Sequence, residues 1–187
     1  ALLAHVYPDN AIVIESLNNV PKEKWIQLTM TYDGSSKAEG VAIYVDGEKQ
    51  KTKTVYDNLY KDIVFHEIRL YGPESEKLEP GLRIGAVWRG KGIGGATVDD
   101  LLVYNKELSE IEVLQIADTE KLKTLKNKTY ANLSKAEKDK LLKYYLHTNS
   151  ESYTAMLKKL EKDRLVLVDS IDPVKQIMVM KERKTPR

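Results

Sequence analysis

The stretch WIQLTMTYDGSSKAEGVAIYVDG, Trp25 to Gly47, decides the fold class of this chain. From Lys24 to Tyr32, Ile26, Leu28, Met30 and Tyr32 alternate with Trp25, Gln27, Thr29 and Thr31. That period of two gives a strand one apolar face. Asp33-Gly34 opens a polar loop that runs to Gly40. Val41, Ile43 and Val45 then alternate with Ala42, Tyr44 and Asp46. Asp46-Gly47 follows, and Asp-Gly is the chemistry of a tight hairpin turn that needs positive φ. Two strands in succession closed by Asp-Gly make an antiparallel meander and leave no room for a βαβ crossover.

Working outward, further β-prone runs flank this pair. Asn10 to Ser16 places Ile12 and Ile14 on one face. Ile63 to Leu70, Leu82 to Val87 and Ala96 to Tyr104 read as strands, separated by a polar loop at 71–81 and a glycine-rich loop at 90–95. Short strands at this spacing, with turn residues between them, are the pattern of sandwiches and barrels.

The period changes after Asn105. Ser109-Glu110-Ile111-Glu112 is a capping box, with Leu108 and Val113 where a hydrophobic staple would sit, so a short helix is expected to about Ala117. Ser134-Lys135-Ala136-Glu137 is a second capping box, opening a helix with Leu141, Leu142, Tyr145 and Leu146 on one face. Ser150 is placed to cap a third helix carrying Tyr153, Met156, Leu157 and Leu160, which Asp172-Pro173 would stop. The two form an α-helical hairpin, followed by an extended run from Lys175 to Glu182.

Composition agrees with a division near Asp118. The whole chain of 187 residues has a net charge of +2. Residues 1–117 are acidic and residues 118–187 are basic and lysine-rich, which gives a sandwich domain (1–117) and a helical appendage with an extended tail (118–187). The basic residues are not grouped with aromatics, so no nucleic-acid partner is expected. No apolar run approaches the ~18 residues of a membrane span. The chain has no cysteine, which excludes disulfides, thiolate metal sites, covalent haem attachment within it and cysteine nucleophiles.

The Trp25–Gly47 stretch resembles the core signature of laminin-G-like, concanavalin A-like jelly rolls. In that family a Trp opens a strand ending Thr-Tyr-Asp-Gly, and the next strand ends Tyr-Val-Asp-Gly. Leu82-Arg83-Ile84-Gly85 resembles the family's short strand, and Thr97 to Val113 resembles its closing strand and helix. The arrangement of jelly roll, helical pair and basic tail is also similar to the central region of large planctomycete-type cytochrome-associated multidomain proteins. The resemblance implies a mainly β fold: an antiparallel jelly-roll β-sandwich lacking its N-terminal strands, followed by the helical hairpin. A complete domain of this kind carries many more residues before the Trp25 strand, so another chain or a preceding segment is expected to complete the sandwich. Trp25 is assigned to a structural role. A periplasmic, cell-surface or extracellular setting within a larger exported bacterial protein is implied by resemblance alone.

The candidate functional residues are few. Trp88, Arg89 and Tyr71 lie on loops or loop edges, where aromatics stack on sugar rings and Arg adds hydrogen bonds. Asp99 matches an aspartate on the family's closing strand that helps to hold a structural Ca²⁺, an ion suited to carboxylate and carbonyl oxygens. Gly90-Lys91-Gly92-Ile93-Gly94-Gly95 satisfies GxGxxG, but a β-prone run follows where a dinucleotide site needs a helix, so the loop is read as a hairpin loop. Gly85 to Lys91 fits GxxxxGK, but Gly92 replaces the hydroxyl residue of a P-loop. His5, His66 and His147 show no ligand spacing. Glu15 and Glu67 are the strand carboxylates that a glycan-active enzyme would have to oppose across a cleft. The reading is a non-catalytic carbohydrate-binding or adhesion module. A structural scaffold, packing against neighbouring domains or another chain, and a glycan-active enzyme of the concanavalin A-like class are the alternatives.

Overall fold

A computed structural model describes residues 1–6, 9–61, 63, 84–85 and 92–171. It contains two three-stranded antiparallel sheets and four α-helices among those residues. The first sheet is built from β1 (Leu2–Val6), β2 (Asn10–Ser16) and β6 (Thr52–Asp57), with β2 in the middle. The second is built from β3 (Leu28–Tyr32), β4 (Val41–Val45) and β5 (Glu48–Lys49), with β4 in the middle. The chain therefore leaves the first sheet after β2, builds the second, and returns as β6 beside β2.

Register follows the apolar pattern. Leu28 faces Val45, Met30 faces Ile43 and Tyr32 faces Val41, so these six share one side of the second sheet. Thr29 and Thr31, opposite Tyr44 and Ala42, take the other side. Asp46 (φ 49°) and Gly47 (φ 78°) both occupy the left-handed region, as a two-residue hairpin turn requires. Asp46 also ties the strand end down: its carboxylate accepts the Gln27 N–H at 2.8 Å, and its own N–H donates to the Gln27 carbonyl.

The sandwich seam joins Leu3, Ile12 and Ile14 of the first sheet to Val41 of the second, with Ala38 and Leu59 closing it and Tyr32 and Ile43 alongside. Ile12 and Ile14 are fully buried, each contributing roughly 1.5–3 kcal/mol. The seam covers only one end of the second sheet. At the Leu28–Val45 end, Leu28 and Met30 are 60% and 48% exposed on the inward side.

The other side of the second sheet receives α1 (Glu110–Ala117). Tyr44, Leu108 and Val113 form a second buried cluster there. Ser109 caps α1 through the expected capping box, and Leu108 and Val113 pack together as the staple requires. The helices α2 (Thr119–Lys126), α3 (Lys135–Asn149) and α4 (Glu151–Ile171) follow. Ser134 builds the second capping box at the start of α3. Ser150 alone separates α3 from α4, and its hydroxyl accepts the Tyr153 N–H. Arg164 on α4 reaches the turn after β3 and donates to the Asp33 carbonyl at 2.9 Å.

Several expectations change. The clearest strand begins its ladder at Leu28 rather than Lys24, and Trp25, just before it, is 70% exposed. Residues 96–104 form no strand: they lack regular structure and are exposed throughout. The run is β-prone, but among the described residues no neighbouring strand supplies the ladder that would hold it extended. Two strands and a helix carry no clear signal in the sequence. β1 and β6 have no strict alternation of apolar and polar residues, and α2 is short and mostly polar, anchored by Leu122 and by Asp118 accepting the N–H groups of Glu120 and Lys121. The expected strands at 63–70 and 82–87 lie outside the described residues, apart from residues 63, 84 and 85. The expected extended run from Lys175 to Glu182 lies outside them as well. A complete jelly roll is thus not what the described residues build; they build its central seam and one helical flank.

Candidate functional site

Of the four candidate site residues, Tyr71, Trp88 and Arg89 lie outside the described residues. Asp99 is exposed, and its carboxylate accepts the N–H of Asp100 at 2.8 Å. Asp100 has φ 52°, in the left-handed region. Among the described residues no group of three or more His, Asp or Glu side chains converges as a metal site.

Of the glycine-rich loop, residues 92–95 are described, and they form no helix. Ile93 donates its N–H to the Gly85 carbonyl, and no helix follows Gly95 until Glu110. Without a helix N-terminus there is no dipole to hold a pyrophosphate, and the dinucleotide reading fails on geometry.

The carboxylates nearest the seam have structural work. Asp33 accepts the Ser35 N–H, Asp57 the Ala38 N–H, and Asp46 the Gln27 N–H, each at 2.8 Å. Glu15 lies on β2 and is exposed, on the side away from Ile12 and Ile14. Glu67 is outside the described residues. His5 lies in β1 and His66 outside the described residues. His147 packs on Tyr153, ring centroids 5.2 Å apart, with its Nε2 3.5 Å from the tyrosine hydroxyl. Burial, reinforced by Lys143, holds its pKa below the usual value.

The densest charged arrangement is one that the sequence does not single out. Glu110, the first residue of α1, stands 3.4 Å from Lys49 of β5 and 2.9 Å from Lys140 of α3. Burial alone would raise its pKa, but the two ammonium groups outweigh it and hold the carboxyl below its ordinary range. Glu48 pairs with Lys121 of α2 at 2.6 Å, and Glu107 with Lys143 of α3 at 2.8 Å. Adjacent, oppositely charged residues of β5 thus hold two different helices. Nearby Tyr44 has its phenol pKa pushed up to about 12, by burial first and Glu110 second. The signal for this junction is long-range charge pairing, which no spacing rule reads from one sequence. It fastens helices to the sheet and presents no reacting group.

Three comparisons bear on the chain. Residues 2–114 match the laminin G family model described as the concanavalin A-like lectin/glucanases superfamily. No curated protein and no solved structure matches the chain significantly.

Proposed function

The chain belongs to the concanavalin A-like lectin/glucanases superfamily, and from that membership we propose that it is a non-catalytic binding or adhesion module for carbohydrate within a larger exported or surface protein. The observation that carries the non-catalytic part is the employment of the carboxylates nearest the seam and at the start of α1, among the described residues. Asp33, Asp46 and Asp57 accept backbone N–H groups that shape loops and strand ends, and Glu110 and Glu112 are ion-paired. A glycosidase needs two carboxyl groups facing one bond, and these are committed elsewhere. For ligand contact the proposal rests on Trp88 and Tyr71 as stacking surfaces and Arg89 as the hydrogen-bonding cation. Calorimetric titration of the chain against a panel of polysaccharides tests it. Saturable binding that Trp88→Ala abolishes, with no release of reducing ends, is the expected result; absence of binding to every member, with the sandwich intact, overturns it.

A second reading, a scaffold that packs against neighbouring domains or another chain, is favoured by one observation. Leu142 and Tyr145 of α3 and Met156, Leu160 and Leu167 of α4 remain exposed although the helices are held to the sheet. Apolar helix surface of this kind is ordinarily covered. A monodisperse monomer in light scattering across a wide concentration range would count against that reading.

A further inference from the structure

We infer that Trp25 is a further contact for a polymeric glycan: its indole stacks on one sugar unit while the Asp46 carboxylate and the Lys24 ammonium hydrogen-bond the hydroxyls beside it. The inference rests on the carbohydrate reading above for its class of ligand. It adds a site that Trp88, Arg89 and Tyr71 do not include. The first observation is exposure. Trp25 is 70% exposed, although only two residues separate it from β3. Tryptophan is the largest apolar side chain and is mostly buried in folded chains, so an indole left in solvent asks for an occupant.

The second observation is that the backbone carrying the ring is braced from both sides. The Asp46 Oδ1 accepts the Gln27 N–H at 2.8 Å, and its Oδ2 lies 3.8 Å from Lys24 Nζ. The Asp46 N–H returns a bond to the Gln27 carbonyl at 2.9 Å. Asp46 is itself set in the left-handed turn with Gly47, which rests against Ala117 and Leu114 of α1. On the other flank Glu23 has φ 58°, a conformation that glutamate seldom adopts. Such a residue persists only where its surroundings over-determine it. A braced platform loses less freedom when a ligand settles on it.

The chemistry beside the ring selects the occupant. The side chains of Lys24 and Asp46 keep 56% and 45% of their surface in solvent. At 3.8 Å they stand beyond hydrogen-bond distance of each other, so Oδ2 is placed to accept from a ligand and Nζ to donate to one. An apolar partner laid on Trp25 would strip water from both charges and replace it with nothing, which is costly. A sugar unit matches the mixture: its C–H face lies on the indole, and its hydroxyls take the place of water at both charges. One such ring at the surface does not offset the cost of association by itself. It contributes once a long glycan is already held, because the second contact then forms at high effective concentration. Loss of binding in Trp88→Ala therefore stands with Trp25 intact.

The test is calorimetric titration of the whole chain with soluble xylan, β-glucan and pullulan, each beside the trisaccharide of the same linkage. Trp25→Ala should weaken the polymer that binds by about tenfold and leave its trisaccharide unchanged. Trp25→Tyr, which keeps a stacking ring, should recover most of that loss. Polymer affinity that Trp25→Ala leaves unchanged overturns the inference and leaves the carbohydrate reading standing. Equal weakening of polymer and trisaccharide assigns Trp25 to the fold and overturns the inference as well. Absence of binding of every polymer by the parent overturns the inference together with the reading it rests on.

Discussion

Gly47 of the β4–β5 turn lies against Ala117 of α1 so closely that a β-carbon on the glycine would sit 2.9 Å from that of the alanine and 3.1 Å from Leu114 Cδ1. The residue therefore meets two demands at once, a φ of 78° and a near-contact with a helix. Gly47→Ala should cost about 2–4 kcal/mol, combining left-handed strain with overpacking. Gly34→Ala offers the comparison. It has a similar φ of 73°, but its nearest neighbour is 4.0 Å away, so only the strain of about 1–2 kcal/mol applies. Urea unfolding of both variants checks the difference; equal costs would mean that the turn does not bear on α1.

The Glu110 junction should make the fold acid-sensitive. Its carboxyl pKa is lowered in the folded chain, so its contribution is fully present above the ordinary value near 4.5 and is lost as pH falls through the folded one. Glu110→Gln should lower the unfolding free energy measured in urea at pH 7, by about 1 kcal/mol or less for these partly exposed pairs. It should also flatten the decline below pH 4.5. A variant that keeps the parent's full decline between pH 5 and 3 would remove Glu110 from the account.

The two capping boxes differ in burial, and their alanine variants should differ with it. Ser109 is buried, and its hydroxyl both accepts the Glu112 N–H and donates to the Glu112 carboxylate. Ser134 is exposed and caps α3 from solvent. Ser109→Ala is expected near the upper end of the capping range, about 2 kcal/mol, and Ser134→Ala nearer 0.5. Thermal or urea denaturation decides the order.

These caps also show which parts of the fold are legible in one sequence. A capping box is a local pattern whose partners lie three residues apart, so Ser109 and Ser134 mark the starts of α1 and α3 by residue type and spacing alone. The Asp46-Gly47 turn and the register of β3 on β4 are legible for the same reason. β1 and β6 are not, because neither has a clean alternation and β6 is held by β2 through pairings far apart in sequence. Residues 96–104 show the reverse error: the run is β-prone, but among the described residues no strand pairs with it. The site is less legible than the fold. Trp88, Arg89 and Tyr71 rest on residue type and loop position, and the dense polar arrangement around Glu110 joins residues 61 and 30 positions apart along the chain.

His147 gives a second pH signature, at the α3–α4 junction. Its pKa is lowered by burial and by Lys143, so the fold favours the neutral ring. That contribution is present above the unfolded value near 6.5 and falls away as pH drops through the folded one. The imidazole should titrate below 6.5 in an NMR series, and Lys143→Gln should move it upward. A titration at or above 6.5 would contradict the packing of His147 under Tyr153.

The most direct measurement of the central claim is a calorimetric titration of the chain with soluble polysaccharides, run beside an assay for newly formed reducing ends and repeated with Trp88→Ala. A carbohydrate-binding module without catalysis predicts saturable heat with at least one glycan, its loss in Trp88→Ala, and no reducing ends in either sample. Reducing ends formed by the parent chain, or no binding to any glycan by a chain whose sheets are intact, would contradict it.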